Sequence, residues 1–209
     1  MKTKKLAHIG AAMAVGVAAF GSMTLAQAQE TIKVGVIAAL TGPFANTGKP
    51  FEDGIKTYMQ QYGATVAGKK IEIIYRDDGG TNADMSKRAA QELIARDKVS
   101  FLIGFSLTPS ALAVAPIATQ AKIPMIVMNA VTTGITAKSP YMLRTSMTMQ
   151  QMTEPFGTWT AQNKVGKVYT LVSDYSTGID AEARFGKGFT AGGGKLVGSS
   201  RVPLANPDY

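Results

Sequence analysis

Residues that can hold a small anion follow the ends of several apolar runs in this sequence. Hydroxyl, amide and glycine residues are concentrated in four such segments, namely 41–48, 104–110, 129–133 and 173–178. Hydroxyl groups and the free backbone N–H groups of helix N-termini suit a carboxylate ligand. The same residue types also form ordinary turns and helix caps. The residue types alone therefore leave two interpretations open, a carboxylate site or conventional loop structure.

The first 28 residues have the pattern of a secretory leader. Three lysines lie among the first five residues, an uncharged apolar run follows at 9–20, and Ala-Gln-Ala at 26–28 has the small residues of a cleavage site. The apolar run is shorter than the roughly 20 residues that a membrane span needs. A removed leader is therefore favoured over an anchor, and we predict a signal peptide cleaved after Ala28 and a periplasmic location.

Cleavage of this leader is tested by the mass of the protein recovered from the periplasm. Cleavage after Ala28 makes Gln29 the N-terminal residue, so the intact mass should correspond to residues 29–209. Recovery of protein that begins at Met1, or recovery from membranes alone, would contradict the prediction.

Cysteine and histidine, which carry most nucleophilic and transition-metal chemistry, are nearly missing from the chain. There is no cysteine, and the one histidine, His8, lies in the predicted leader. Without these residues the chain cannot assemble a Ser-His or Cys-His nucleophile, a Cys/His zinc site or a disulfide framework. A G-x-S-x-G sequence is also absent, which counts against a hydrolase. We therefore expect no catalytic residues, no metal site and no cofactor.

Three short patterns favour structural roles over chemistry. The segment 63–69 approaches a phosphate-binding P-loop, but Lys70 stands where Ser or Thr must bind Mg²⁺. Methionines within 147–152 could bind Cu(I) through their thioethers, although flexible packing is the more common role of this residue. Asp77 and Asp78 could act as paired carboxylates, but we predict that they end a strand and cap the following helix.

Positive charge is scattered along the chain. The net charge is +8 at pH 7, yet outside the leader basic residues are adjacent only in pairs such as Lys69-Lys70 and Lys87-Arg88. Nucleic-acid binding requires a clustered basic patch or stripe. We therefore expect no nucleic-acid partner.

Apolar runs alternate with amphipathic segments along the chain. We predict strands at 32–40, 70–75, 99–103, 125–128, 141–145, 167–172 and 195–202. We predict helices at 51–62, 81–96, 110–120, 154–163 and 179–190, the second of them starting with a capping box between Thr81 and Asp84. The polar segment 144–153 is expected to cross between two such units.

Strands that alternate with helices of this length predict βαβ units and parallel sheets. In such sheets ligands bind beyond the carboxyl ends of the strands. The four hydroxyl-rich segments should therefore meet at that edge of the fold.

A series of short sequences resembles one family of binding proteins in order and spacing. The matching segments are 32–37, 40–43 with Gly48, 75–79, 103–104, 123–126, 141–145, 173–175 and 192–198. Together they resemble ABC-transporter substrate-binding proteins of the leucine/isoleucine/valine-binding (branched-chain amino acid) family, which have the type I periplasmic binding protein fold. The resemblance extends over essentially the whole chain after the leader.

This resemblance implies an α/β fold with two Rossmann-like lobes, each with a parallel sheet, that close on a ligand by hinge motion. Residues 29–147 would form lobe 1, residues 148–209 would begin lobe 2, and residues 1–28 would be the signal peptide. Members of the family continue well beyond this point, so the second lobe is expected to be truncated and the chain to be an N-terminal fragment.

The resemblance also implies binding residues by their position. In this family lobe 1 holds a ligand carboxylate with hydroxyl and backbone N–H groups. The implied ligand-binding residues are Thr108, Asn129, Ala130, Val131 and Thr132 in lobe 1, Phe44 and Thr47 at the mouth, and Tyr175 and Ser176 in lobe 2.

The implied function is that of a periplasmic receptor for a small molecule. It would deliver a branched-chain amino acid or a similar small carboxylate, such as an amide or an aromatic acid, to the permease of an ABC importer. The full-length form would be a monomer and not an enzyme. Two alternatives from other classes are an exported α/β hydrolase-type enzyme and the ligand-sensing domain of a receptor.

Overall fold

The computed structural model describes residues 29–204. The predicted leader, with His8 and the cleavage site after Ala28, lies outside the described residues, as do the last five residues of the chain.

Six strands form the first sheet. They are β1 (Thr31–Ala38), β2 (Thr65–Val66), β3 (Lys69–Asp77), β4 (Phe101–Gly104), β5 (Met125–Val127) and β6 (Met142–Arg144). Their order is β2-β3-β1-β4-β5-β6, and every neighbouring pair is parallel except the short antiparallel pair of β2 and β3. Three helices and a 3-10 turn connect them, namely α1 (Ala45–Tyr62), α2 (Ala83–Ala95), α3 (Thr108–Ala121) and Ile135–Lys138.

Two further strands form a separate parallel sheet later in the chain. They are β7 (Lys167–Ser173) and β8 (Lys195–Val202), which pair in parallel with a shift of register between Val168 and Tyr169. The helices α4 (Met149–Gln162) and α5 (Ser176–Ala191) pack closely against each other. The expected α/β class with parallel sheets is thereby confirmed.

The core lies between the central strands of the first sheet and the helices α2 and α3. Ile37 of β1, Leu93 of α2, Leu102 of β4 and Val114 of α3 are fully buried. The run Val36-Ile37-Ala38 is buried at every position. A strand of a parallel sheet is covered on both faces, and a continuous apolar run is typical of it.

The start of α2 differs from the predicted capping box. The N-cap is Asn82, whose side chain accepts from the backbone N–H groups of Asp84 and Met85 at 3.1 and 3.0 Å. The Thr81–Asp84 box is therefore wrong by one residue. Asn and Thr are both good N-caps, so the sequence alone did not decide whether Thr81 or Asn82 caps the helix.

The helices α1 and α4 begin earlier than predicted. Helix α4 starts at Met149, five residues before the predicted start, because Thr148 and Gln151 form a reciprocal capping box. Helix α1 starts at Ala45, before any apolar stripe, and includes the buried Gly48. A Cβ on Gly48 would lie 2.1 Å from the Ala39 carbonyl oxygen, so the missing side chain lets this turn approach the end of β1.

Asp77 and Asp78 hold loops together and do not cap the following helix. Both oxygens of the Asp77 carboxylate accept hydrogen bonds, from the hydroxyl of Thr41 and from the N–H groups of Leu40 and Gly79. The Asp78 carboxylate is fully buried and accepts from the side chains of α2 and α3. The predicted capping role is therefore wrong for both residues.

Candidate functional site

Three threonine hydroxyl groups meet where the loops of the first sheet face helix α5. Thr108 is the first residue of α3, Thr132 lies in the loop after β5, and Thr177 lies in the first turn of α5. The Oγ1 atoms of Thr108 and Thr132 are 2.7 Å apart, and Thr177 Oγ1 lies 3.1 Å from the former and 3.0 Å from the latter. We call these three residues the threonine cluster.

The hydroxyl groups of the threonine cluster are largely shielded from water. Thr108 is 0% exposed and Thr177 is 8% exposed, while Thr132 is half-buried. A hydroxyl group supplies one rotatable donor and two acceptor lone pairs. A cluster of three can therefore redirect its donors toward a charged oxygen atom placed beside it.

The start of α3 explains why Thr108 points into this cluster. The preceding Leu107 is extended, with φ −125° and ψ 155°, and Pro109 follows within the first turn. Proline at this position has a fixed φ suited to a helix start and has no N–H group to leave unpaired. The helix therefore begins at Thr108, separated from the end of β4 by three residues, and its first hydroxyl lies at the carboxyl edge of the sheet.

The loop after β5 is held by hydrogen bonds to backbone carbonyl groups of the loop after β4. Asn129 donates its side-chain amide to the Ser106 carbonyl oxygen at 2.8 Å, and the Ala130 N–H donates to the Phe105 carbonyl oxygen at 3.1 Å. The Ser106 hydroxyl in turn accepts from the Ala39 N–H at 3.1 Å. These bonds join the loops after β1, β4 and β5 into one rigid edge.

Charged side chains flank the same loop. Arg144, the last residue of β6, donates to the Thr132 carbonyl oxygen at 2.8 Å. The Asp180 carboxylate on α5 accepts from the Thr133 N–H at 2.6 Å. Burial lowers the pKa of the Arg144 guanidinium, and the neighbouring Asp180 carboxylate opposes that shift.

The remaining predicted residues lie at the ends of two helices. Phe44 is the N-cap of α1 and packs against Gly80, while the Thr47 hydroxyl donates to the Phe44 carbonyl oxygen at 2.6 Å. Tyr175 is the N-cap of α5 and Ser176 is its first residue, and both are half-buried.

Of the predicted residues, the structure joins Thr108 and Thr132 directly through their hydroxyl groups. Ala130 is buried and Val131 is half-buried in the loop that carries Thr132. The prediction missed Thr177 and Asp180. Thr177 lies in the hydroxyl-rich segment 173–178, so the sequence contained a signal for it. Nothing in the local sequence marks Asp180 as a residue of this site.

Asp77 fixes the loop that leads from β1 to α1. Burial raises the pKa of this carboxyl, but hydrogen bonds from the Thr41 hydroxyl and from the N–H groups of Gly79, Leu40 and Thr41 outweigh it and hold the pKa below its usual value. A depressed folded-state pKa means that the ionised group stabilises the folded state. This stabilisation is fully present above the unfolded value of about 4 and is lost as the pH falls through the folded value.

Substitution of Asp77 should therefore have a pH-dependent effect. We expect Asp77→Asn to lower the free energy of unfolding by about 1–2 kcal/mol at pH 7, because hydrogen bonds to a charged acceptor are stronger than those to an amide. Near pH 3 the difference should shrink, since the carboxyl of the unfolded parent is then largely protonated and folding must release that proton. Urea denaturation at both pH values measures this, and an equal difference at both would contradict the ionic role.

Two cavities lie elsewhere on the described structure. One of about 390 Å³ is an apolar groove between α1 and β3, bordered by Phe51, Ile55, Tyr58 and Ile73. Another of about 560 Å³ lies between α5 and β8. Neither is lined by a residue of the threonine cluster.

Residues 29–204 contain neither a metal-binding cluster nor a membrane-spanning helix. In this part of the chain no group of three or more His, Cys, Asp or Glu side chains is arranged to hold a metal ion. No helix within it combines the length and the apolar character that crossing a membrane requires.

Comparison with known proteins places the chain among binding proteins. A family model described as periplasmic binding protein matches residues 31–209. The Leu/Ile/Val-binding protein homolog 6 of Brucella abortus (strain 2308) is 43% identical over 192 residues, which are 92% of this chain and 49% of that protein.

Solved structures of ABC-transporter solute-binding proteins from Rhodopseudomonas palustris are also similar. One, from strain BisB5 in complex with 3,4-dihydroxybenzoic acid, is 54% identical with a TM-score of 0.82 and is matched over 85% of this chain and 49% of its own. Another, in complex with 4-hydroxybenzoate, is 47% identical with a TM-score of 0.82 over 86% of this chain and 49% of its own.

The chain thus spans about half the length of these relatives. The family model nevertheless covers nearly all of the chain after the predicted leader. The order of strands and helices and the sequence similarity agree with the resemblance carried by the short motifs. The chain belongs to the periplasmic binding protein family.

Proposed function

We propose that this chain contributes the carboxylate-binding part of a periplasmic receptor for a small organic acid. The observation that carries the proposal is the buried threonine cluster at the carboxyl edge of a parallel sheet. Ligands of open α/β sheets bind beyond this edge. Hydroxyl donors shielded from water favour a charged oxygen more strongly than exposed ones do.

The proposed ligand is an aromatic acid that carries a ring hydroxyl group. Support comes from the two Rhodopseudomonas palustris proteins, which are about half identical to this chain and were solved with hydroxylated benzoates. The name of the Brucella abortus relative favours a second candidate, a branched-chain amino acid. Both classes share the carboxylate that Thr108 and Thr132 would hold.

Each predicted residue has a proposed role in this site. Thr108 and Thr132 donate to the carboxylate, and the backbone of Ala130 and Val131 forms the floor beneath it. Asn129 holds that loop through Ser106. Phe44, Thr47, Tyr175 and Ser176 border the rest of the ligand.

The proposed role in the cell is the delivery of this acid to the permease of an ABC importer. The site offers hydrogen-bond donors without a nucleophile, so we propose binding without catalysis. The match to the periplasmic binding protein family supports a location in the periplasm. Residues 29–147 would form one lobe and residues 148–209 the beginning of another, in a full-length protein that is monomeric. The separation of the chain into two sheets supports this division.

Isothermal titration calorimetry with 4-hydroxybenzoate and L-leucine tests the proposal. We expect the purified full-length protein to bind 4-hydroxybenzoate more tightly than L-leucine. Thr108→Val or Thr132→Val should weaken binding by about 5- to 100-fold, because each removes a hydrogen bond to a charged group.

The matched control is Thr65→Val on the exposed strand β2, which should leave the affinity unchanged. Binding of L-leucine alone would select the amino-acid ligand. Unchanged affinity in both cluster variants would exclude the threonine cluster as the binding site.

A further inference from the structure

The peptide group that joins Thr132 to Thr133 is held at both ends by side chains of opposite charge. Its carbonyl oxygen accepts from Arg144 Nη1 at 2.8 Å, and its N–H donates to Asp180 Oδ2 at 2.6 Å. Arg144 ends a strand of the first sheet, whereas Asp180 belongs to helix α5, which connects the two strands of the second sheet. Two separate parts of the fold therefore hold one peptide group.

Both contacts are hydrogen bonds between a charged side chain and a backbone group. Hydrogen bonds with one ionised partner are shorter and roughly twice as strong as neutral ones. The Asp180 side chain is 13% exposed, and its second oxygen accepts from Arg184 Nε at 3.2 Å, one turn along α5. Low exposure limits screening by water and salt.

Fixing this peptide group also fixes the residues on either side of it. A peptide group is planar, so holding its oxygen and its N–H sets ψ of Thr132 and φ of Thr133. The Thr133 hydroxyl is also engaged, because it accepts from the Gln150 N–H at 3.1 Å. The direction of the Thr132 side chain toward Thr108 therefore depends on these contacts.

We propose that Asp180 and Arg144 are positioning residues of the ligand site. Arg144 holds the Thr132 carbonyl oxygen from within the first sheet. Asp180 holds the Thr133 N–H only while α5 lies against the loop. The orientation of Thr132 is thereby coupled to the approach of α5, which also brings in Thr177. This inference rests on the proposed function, since it concerns the affinity of the same site.

A purely local role for Asp180 makes different predictions. In that case its partner is Arg184, and the pair only stabilises α5, as surface pairs four residues apart do weakly. Replacement of either residue would then have similar small effects. The affinity for a carboxylate would be unaffected.

Amide hydrogen exchange and calorimetry on the purified protein distinguish these roles. In the ligand-free protein, Asp180→Ala should make the Thr133 amide exchange at least about 10-fold faster, while Asp180→Asn should restore part of the protection. Arg184→Gln, which leaves Asp180 in place, is the matched control and should change neither exchange nor affinity by more than about 2-fold.

With 4-hydroxybenzoate as the probe, Asp180→Ala should weaken binding by about 5- to 50-fold, and Asp180→Asn by less. In the Thr132→Val background Asp180→Ala should add less than about 2-fold, because a residue that acts through Thr132 loses its effect without that hydroxyl. Arg144→Gln provides a second variant that should show the same dependence on Thr132 if Asp180→Ala fails to fold.

Several results would overturn the inference. Unchanged exchange at Thr133 in Asp180→Ala would show that the contact does not hold the loop. Normal affinity of Asp180→Ala, or a full additional loss in the Thr132→Val background, would overturn the positioning role while the proposed function stands. Absence of binding by the parent to both 4-hydroxybenzoate and L-leucine would overturn the proposed function itself, and the inference with it.

Discussion

Replacing Asp78 by alanine is expected to lower the free energy of unfolding by roughly 2–5 kcal/mol, because it removes a buried carboxyl group that accepts three hydrogen bonds and leaves their donors without this acceptor. Asp78 is 0% exposed. Its Oδ1 accepts from the Gly80 N–H at 2.8 Å, and its Oδ2 accepts from the hydroxyls of Ser86 at 3.2 Å and of Ser110. One carboxylate therefore joins a loop to two helices.

Asp78→Ala should also disturb the proposed ligand site. Ser86 has a second acceptor in the Asn82 carbonyl oxygen, whereas the Ser110 hydroxyl has Asp78 as its acceptor. Ser110 lies two residues after Thr108 on α3, so a loosened first turn moves the hydroxyl proposed to bind the carboxylate. We expect the affinity for 4-hydroxybenzoate to fall along with the stability.

Urea denaturation followed by circular dichroism measures the effect of Asp78→Ala. The control is Asp84→Ala in the first turn of α2, because the Asp84 side chain is 80% exposed and pairs with Lys87 at 3.3 Å. Exposed pairs and helix-end charges contribute less than about 1 kcal/mol. Equal losses in the two variants would show that the Asp78 contacts do not stabilise the fold.

Substitution of Gly188 by alanine is the second change with a large expected effect. A Cβ at this position on α5 would lie 2.0 Å from the Glu154 carbonyl oxygen of α4, and a Cβ on Gly157 of α4 would lie 2.2 Å from the Phe185 carbonyl oxygen. The two helices thus contact each other through their backbones. Addition of a methyl group forces them apart and disturbs the packing of the fully buried Phe189.

We expect Gly188→Ala to cost about 1–3 kcal/mol, which is typical of overpacking. A loss of this size corresponds to a thermal midpoint lower by roughly 2–12 °C for a chain of this length. Differential scanning calorimetry provides the measurement.

The matched control is Gly54→Ala in α1, because an added Cβ there meets nothing within 4 Å. Alanine in an exposed helix is favoured over glycine by about 1 kcal/mol. Gly54→Ala should therefore keep or raise the midpoint. A midpoint of Gly188→Ala at or above that of the parent would contradict the close packing of α4 on α5.

The alternation of strands and helices could be predicted because its signals are local. The run at 32–40 is apolar at nearly every position, as expected for a strand covered on both faces, and β1 lies within it. Helix starts were predicted less well. The start of α1 contains Gly48 and Pro50 and has no apolar stripe, so its helical state depends on packing against Ala39.

The site could be predicted in part for a similar reason. Thr108 and Thr132 follow β4 and β5, which are neighbours in the sheet, so a parallel topology alone brings them together. Thr177 and Asp180 reach the same loop from α5, at separations of 45 and 47 residues from their partners. Contacts of this range depend on how two sheets face each other, which no local pattern specifies.

A crystal structure of the protein with 4-hydroxybenzoate is the most direct test of the central claim. We predict a carboxylate oxygen within hydrogen-bonding distance of Thr108 Oγ1 or Thr132 Oγ1, with the ring directed toward Phe44 and Tyr175. A carboxylate bound elsewhere, for example in the groove between α1 and β3, would contradict the account. So would a bound acid whose carboxylate faces away from both hydroxyl groups.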